Sequence, residues 1–119
     1  MVAAIVGVGT TMLGATPGDA GQRQATDVVR KRVFVRDNFF DARSLRILSG
    51  TKVTWIWRGE NSHNVTFTKV PRGASKRGAD TQRRGRFTRS FGKPGLYKYV
   101  CTVHYGQRGS VDVEVEKGP

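Results

Sequence analysis

The chain has 119 residues, of which 37% are hydrophobic and 25% are charged. This length suits one domain and is short for two, and the composition excludes a largely disordered chain or a multi-span membrane protein as first hypotheses. Lys and Arg number 21 against 9 Asp and Glu, and the net charge of +12 favours anionic partners. The single cysteine, Cys101, excludes a disulfide within the chain and a cysteine-rich zinc framework.

The first 20 residues differ from the rest. Residues 2–14 are small and apolar, but the run is shorter than the roughly 20 apolar residues that a membrane-spanning helix needs. Gly18 and Ala20 place small residues before a signal-peptidase cut after Ala20, although no Lys or Arg precedes the apolar run. We therefore expect residues 1–20 to be a signal peptide, with a disordered tail as the alternative. Residues 21–119 would then be a single domain in an extracytoplasmic compartment, namely the periplasm, the cell envelope or the exterior.

Beyond residue 20, apolar residues alternate with polar ones, which is typical of half-buried strands. The clearest run places Val111, Val113 and Val115 between acidic residues. Turn-forming glycines and prolines separate the runs, and six or seven short strands predict an all-β, two-sheet antiparallel sandwich. The other alternating sets are Val29, Val33 and Val35; Val53, Trp55 and Trp57; Val65 and Phe67; Phe87 and Phe91; and Tyr97, Tyr99 and Cys101.

Residues 69–89 interrupt this pattern with a basic run whose only acidic residue is Asp80. We expect a long solvated loop with one short edge strand near its end. The run is either an ordinary soluble surface or a docking patch for an acidic partner or an anionic envelope polymer. Nucleic acid is disfavoured because no aromatic residues alternate with the basic ones. The run ends at Arg89, and the predicted contact residues within it are Lys69, Arg72, Lys76, Arg77, Arg83, Arg84 and Arg86.

Four side chains could form a soft-metal site: His63, Cys101, His104 and Gln107. One thiolate and two imidazoles, completed by a weak axial group, suit copper that cycles between Cu(I) and Cu(II). Cys101 ends a strand and His104 follows three residues later, so one loop can supply both, while His63 must come from a loop between two other strands. Zinc is the alternative ion, since the same donors satisfy a tetrahedral site.

A Cys–His nucleophilic pair is disfavoured because no orienting carboxylate or oxyanion-hole element accompanies it. We therefore expect a monomeric metal-binding protein, without a transmembrane helix, and not an enzyme.

Residues 95–111, GLYKYVCTVHYGQRGSV, resemble the C-terminal signature of the cupredoxins, in particular the plastocyanin/amicyanin-like branch. Residues 40–47 (FDARSLRI), 50–55 (GTKVTW) and 63–65 (HNV) follow the order and spacing of that family, and the resemblance covers roughly residues 33–116. It implies a Greek-key β-sandwich that transfers single electrons. It also implies that His63, Cys101 and His104 are the equatorial ligands of a type 1 copper ion.

The family usually has Met where this chain has Gln107. Gln107 coordinates through its amide oxygen, as in the stellacyanin-like relatives, or the site stores or delivers copper without a redox partner. A harder oxygen donor favours Cu(II), so the first hypothesis predicts a lower reduction potential than Met would give. A basic β-sandwich module for anionic polymers, with a vestigial metal site, is a third hypothesis.

Three further residues receive roles from the resemblance. Asn64, beside His63, would tie the His63 loop to the Cys101 loop by hydrogen bonds, unless it only favours a turn. Tyr105 and Gly106 would shape the partner contact around His104.

Overall fold

The computed structural model describes residues 28–115, which form two packed β-sheets without a helix in that range. The predicted signal peptide and its cleavage site lie outside the described residues. Within residues 28–115, no helix is long and apolar enough to span a membrane. The strands are β1 (Arg30–Arg36), β2 (Phe39–Asp41), β3 (Ser44–Leu48), β4 (Thr51–Trp57), β5 (His63–Lys69), β6 (Ala79–Gln82), β7 (Arg86–Phe91), β8 (Gly95–Val100) and β9 (Arg108–Glu114).

One sheet has the order β2-β1-β4-β7 and the other has the order β3-β9-β8-β5-β6. The predicted two-sheet β-sandwich is confirmed, with more strands than the six or seven expected. Both sheets are mixed, because β1 pairs with β4 in parallel and β3 pairs with β9 in parallel, while the remaining pairings are antiparallel. Residue alternation indicates which face of a strand is buried but carries no information on strand direction. The two parallel pairings could therefore not be predicted from the sequence.

The core lies between the sheets and follows the predicted alternation. Val33, Val53 and Val111 are fully buried, and Trp55 forms its aromatic centre with an edge-on contact to Tyr99 at 5.4 Å between ring centroids. Two of the residues assigned to inward faces, Val29 and Val115, are instead exposed, because they lie beyond the ends of β1 and β9.

The basic segment 69–89 is less of a loop than expected, since it contains the edge strand β6 and the first part of β7. Arg89 does not belong to its solvated surface, because its side chain is buried at 6% exposure. Its guanidinium lies 4.6 Å from the centroid of the Phe67 ring and 4.9 Å from that of Phe91, and it donates to the backbone oxygen of Arg77 at 3.0 Å. Arg89 shares the inward face of β7 with Phe87 and Phe91, so the expectation that it belongs to a solvated loop is wrong.

The antiparallel order of three neighbouring strands brings distant residues to one end of the sandwich. Strand β8 ends next to the start of β5, and a seven-residue hairpin loop, residues 101–107, joins β8 to β9. His63, the first residue of β5, therefore lies beside this loop. The prediction that His63 belongs to a loop is corrected to a strand terminus.

Candidate metal centre

The hairpin loop 101–107 is held closed by its own backbone. The backbone N–H of Cys101 donates to the backbone oxygen of Gln107 at 2.9 Å, and the backbone N–H of Gln107 donates to the backbone oxygen of His104 at 3.2 Å. Gly106 adopts a φ of 86°, a left-handed conformation that glycine accepts without a steric cost. These backbone hydrogen bonds hold Cys101 and His104 so that both face the same point.

His63 completes a cluster of three soft donors at that point. The Cys101 sulfur lies 3.6 Å from His104 Nδ1 and 3.9 Å from His63 Nδ1, and all three ligand atoms lie within 4.8 Å of one another. His63 is fully buried and Cys101 is 3% exposed, whereas His104 is half-buried. The structure therefore brings together the three side chains that the sequence singled out, and leaves one imidazole accessible from outside.

Gln107 is 2% exposed and directs its amide oxygen into the cluster. Its Nε2 donates to the Arg36 backbone oxygen at 3.3 Å, and its Oε1 lies 3.0 Å from His63 Nδ1. Because a carboxamide whose NH₂ group faces a carbonyl must aim its oxygen the other way, Arg36 determines which atom faces the cluster.

Asp37, which the sequence analysis missed, contacts the opposite side of the His63 ring. Its Oδ1 lies 2.7 Å from His63 Nε2 and accepts the Asn61 N–H at 2.9 Å, and its Oδ2 accepts the Glu60 N–H at 2.7 Å. The hydrogen bond from Glu60, followed by those from His63 and Asn61, lowers the pKa of Asp37 to about 2. Asp37 is 26 residues before His63, so no local motif could have found it. The earlier statement that no orienting carboxylate accompanies the Cys–His pair is therefore wrong.

The donor atoms fit a cation. When the His63 ring carries its single hydrogen on Nε2 and donates it to Asp37, Nδ1 directs a lone pair toward the cluster. That lone pair, the Gln107 oxygen and the Cys101 sulfur are all electron-rich, and Nδ1 and the oxygen lie only 3.0 Å apart. Such atoms repel one another unless a proton or a metal ion lies between them. The set of one sulfur, two imidazoles and one amide oxygen is suited to copper.

Asn64 connects the strand that carries His63 to the loop that carries the other donors. Its Nδ2 donates to Thr102 Oγ1 at 2.8 Å and to Thr81 Oγ1 at 3.0 Å, and its Oδ1 accepts the Thr102 N–H at 3.1 Å and the Thr66 hydroxyl at 2.8 Å. Thr102 directly follows Cys101. Through Thr102, these contacts connect the start of β5 to the hairpin loop.

The surface around the cluster combines an exposed aromatic residue with positive charge. Tyr105, which follows His104, is fully exposed, and Val103 is 53% exposed. Gln82 pairs with His63 in register, so Arg83 and Arg84 follow directly at the cluster end of the sandwich. Arg86 also lies at this end, because it pairs with Ile56 near the end of β4.

The other basic residues predicted as partner contacts lie away from the cluster end of the sandwich or in the middle of the basic segment 69–89. Lys69 ends β5 and pairs with Lys98, which places it toward the far end of the sandwich. Arg72, Lys76 and Arg77 follow on exposed positions between β5 and β6. The predicted docking patch is therefore not one continuous surface around the cluster.

A β-sandwich that gathers one cysteine and two histidines at one end defines a copper protein of the cupredoxin class. The family described as copper binding proteins, plastocyanin/azurin family, matches residues 33–114, and the chain belongs to that family. This confirms the resemblance seen in the sequence.

Individual relatives agree with this assignment. The chain is 30% identical to plastocyanin from Prochlorothrix hollandica over 113 residues, and this alignment covers 89% of this chain and 83% of that protein. It is 38% identical over 77 residues to amicyanin-alpha from Methylorubrum extorquens, which covers 63% of this chain and 64% of that protein. The solved structure of oxidised plastocyanin from Dryopteris crassirhizoma matches with a TM-score of 0.60 at 25% identity, covering 70% of this chain and 99% of that one.

Proposed function

We propose that this protein is an extracytoplasmic carrier of single electrons. It would hold one copper ion through His63, Cys101 and His104, with the Gln107 amide oxygen as a fourth donor. The observation that supports this most directly is the position of the Cys101 sulfur, 3.6 Å from His104 Nδ1 and 3.9 Å from His63 Nδ1, next to the Gln107 amide oxygen.

Copper would supply a one-electron couple, in which Cu(II) takes up one electron to become Cu(I). The protein's part is to keep the donors where they are in both states. The loop hydrogen bonds and the buried position of His63 supply that rigidity. His104 is the more exposed imidazole and lies between Val103 and Tyr105, so it is the natural route for the electron to a partner.

The first test is the visible spectrum during titration with Cu(II). We expect an intense thiolate-to-copper band in the wild type and its loss in Cys101→Ser. Absence of the band in the wild type would refute the site. Titration with Zn(II) before copper tests the alternative ion, since bound zinc would block the band.

Reversible voltammetry separates a carrier from a protein that stores or delivers copper. A blue protein without a reversible one-electron wave would favour storage or delivery. The potential also tests Gln107, because Gln107→Met replaces an oxygen donor by a softer sulfur and should raise the potential. Gln82→Met, on the edge strand β6, makes the same change where the side chain only donates to the Arg84 backbone oxygen at 3.1 Å, and should leave the potential unchanged.

The proposed partner is an acidic redox protein that docks at the cluster end, over Tyr105 and Gly106 and beside Arg83, Arg84 and Arg86. Electrostatic steering predicts an electron-transfer rate that falls as ionic strength rises. Arg84→Glu should slow the reaction much more than Arg72→Glu does. Arg72 is the control because it lies between β5 and β6, soon after the end of β5 that is remote from the cluster. Equal effects of the two variants would favour a diffuse field or an anionic polymer over a docking site.

Export of the protein is proposed from the apolar residues 2–14 and the small residues before position 21. Mass spectrometry of the mature protein from an envelope fraction should show a chain that starts at Gly21. Recovery of the chain with Met1 intact from the cytoplasm would refute this part. Analytical ultracentrifugation tests whether it is a monomer.

A further inference from the structure

The end of strand β1 contacts two of the proposed ligands from outside the cluster. The Arg36 backbone oxygen accepts from Gln107 Nε2 at 3.3 Å, and the next residue, Asp37, places Oδ1 2.7 Å from His63 Nε2. Asp37 contacts the nitrogen on the far side of the ring from the Cys101 sulfur. It therefore orients a ligand and does not serve as one.

The Asp37 carboxylate is itself held in place. Backbone N–H groups of Glu60 and Asn61 donate to its two oxygens at 2.7 and 2.9 Å. A Cβ on Gly59 would overlap the carboxylate, so the residue type at position 59 is what allows the close approach. The neighbouring Arg36 side chain pairs with Asp41 at 3.3 Å.

We propose that Asp37 is a positioning residue that holds His63 as the tautomer with its hydrogen on Nε2, and that its negative charge lowers the reduction potential of the site. This inference rests on the proposed function, in which His63 Nδ1 binds copper. A carboxylate that accepts from the outer nitrogen of a metal-bound histidine orients the ring and makes the inner nitrogen a stronger donor. Its charge favours the higher oxidation state, because Cu(II) carries one more positive charge than Cu(I).

Two substitutions separate orientation from charge. Asp37→Asn keeps an oxygen that can accept from Nε2 but removes the negative charge, and Asp37→Ala removes both. Asp41→Asn is the matched control, since Asp41 is an exposed carboxylate on β2 that pairs with Arg36 and does not contact His63. Reduction potential and Cu(II) affinity are measured for all three variants and the wild type.

We expect Asp37→Asn to raise the potential, by about 59 mV for each tenfold change in the ratio of Cu(II) to Cu(I) affinity. Asp37→Ala should also weaken Cu(II) binding by about 10- to 100-fold, the usual effect of removing such a partner. Asp41→Asn should match the wild type in both quantities. If Asp37→Ala does not fold, Asp37→Asn still decides the question of charge.

The tautomer has its own readout, which does not depend on copper chemistry. In nitrogen-15 NMR spectra of Zn(II)-loaded protein, the His63 Nε2–H signal should be slow to exchange in the wild type and in Asp37→Asn, and fast in Asp37→Ala. A thiolate band in the wild type together with equal potentials in Asp37→Asn and Asp41→Asn would overturn the role of Asp37 alone. A wild type that stays colourless with Cu(II) would overturn the copper site and this inference together.

Discussion

Replacement of Asn64 by Ala tests whether the hydrogen-bond network around the metal cluster stabilises the fold. The Asn64 side chain is 5% exposed and makes four hydrogen bonds of 2.8 to 3.1 Å to three threonines. Two of them reach Thr102, between the cluster residues Cys101 and His104. The substitution therefore removes the connection between β5 and the hairpin loop while leaving every proposed ligand in place.

The expected loss of stability in Asn64→Ala depends on whether the three threonines can replace their lost hydrogen bonds. A hydrogen bond contributes about 0.5–1.5 kcal/mol net, which gives roughly 2–6 kcal/mol for four. Thr81 and Thr102 are exposed and Thr66 is half-buried, so their hydroxyls can bind water instead. We therefore expect the free energy of unfolding to fall by roughly 2–3 kcal/mol, near the lower end of that range.

Urea denaturation of the metal-free protein measures this loss, and the thermal midpoint should fall by about 4–8 °C per kcal/mol. Asn38→Ala is the control, because exposed Asn38 accepts only one bond, from Asn61 at 3.4 Å, and should change stability by less than about 0.5 kcal/mol. A double-mutant cycle with Thr102→Val should show coupling of at least about 0.5 kcal/mol. A loss of less than about 0.5 kcal/mol in Asn64→Ala would refute the structural role given to the network.

Three further outcomes can be measured by the same unfolding experiments. Arg89→Ala should cost more than about 2 kcal/mol, because it removes charged hydrogen bonds and ring contacts from the core, whereas exposed Arg86→Ala should stay within about 0.5 kcal/mol. Burial raises the pKa of Tyr99 to about 12 from its usual 10.0, so the native state retains a proton that the unfolded chain releases above pH 10. Stability should fall by about 1.4 kcal/mol per pH unit between pH 10 and 12, and Tyr99→Phe should remove that part of the decline. Gly109→Ala should cost roughly 1–3 kcal/mol, because the new Cβ would overlap the phenol ring of Tyr99, while Gly92→Ala, with open space around it, should be nearly neutral.

Much of the fold could be predicted because strand burial follows a local rule. Side chains alternate between the two faces of a strand, so Val111 and Val113 or Tyr97 and Tyr99 identify an inward face without any knowledge of their neighbours. Applied to Phe87 and Phe91, the same rule puts Arg89 on their face, but the expectation followed its charge and assigned it to the solvated run. Only the structure shows that three aromatic rings surround its guanidinium.

The candidate site was predictable to the extent that it depends on residue type and short spacing. The chain has one cysteine and two histidines, and His104 follows Cys101 within a single hairpin loop. His63 could be added because few soft donors were available and because the family resemblance requires it. Its distance from the other two was not accessible from the sequence, since it depends on how β5 and β8 pair.

The all-β class, the inward faces of most strands and the three soft donors could be predicted from the amino-acid sequence, because each depends on residues close together in the chain or on side-chain chemistry. The parallel pairings, the orientation of the Gln107 amide and the contact between Asp37 and His63 became visible only in the folded protein. The last two features join the end of β1 to the hairpin loop across 71 residues and to the start of β5 across 26 residues. Contacts over such separations form only when the two sheets pack, so neither residue periodicity nor a local motif can predict them.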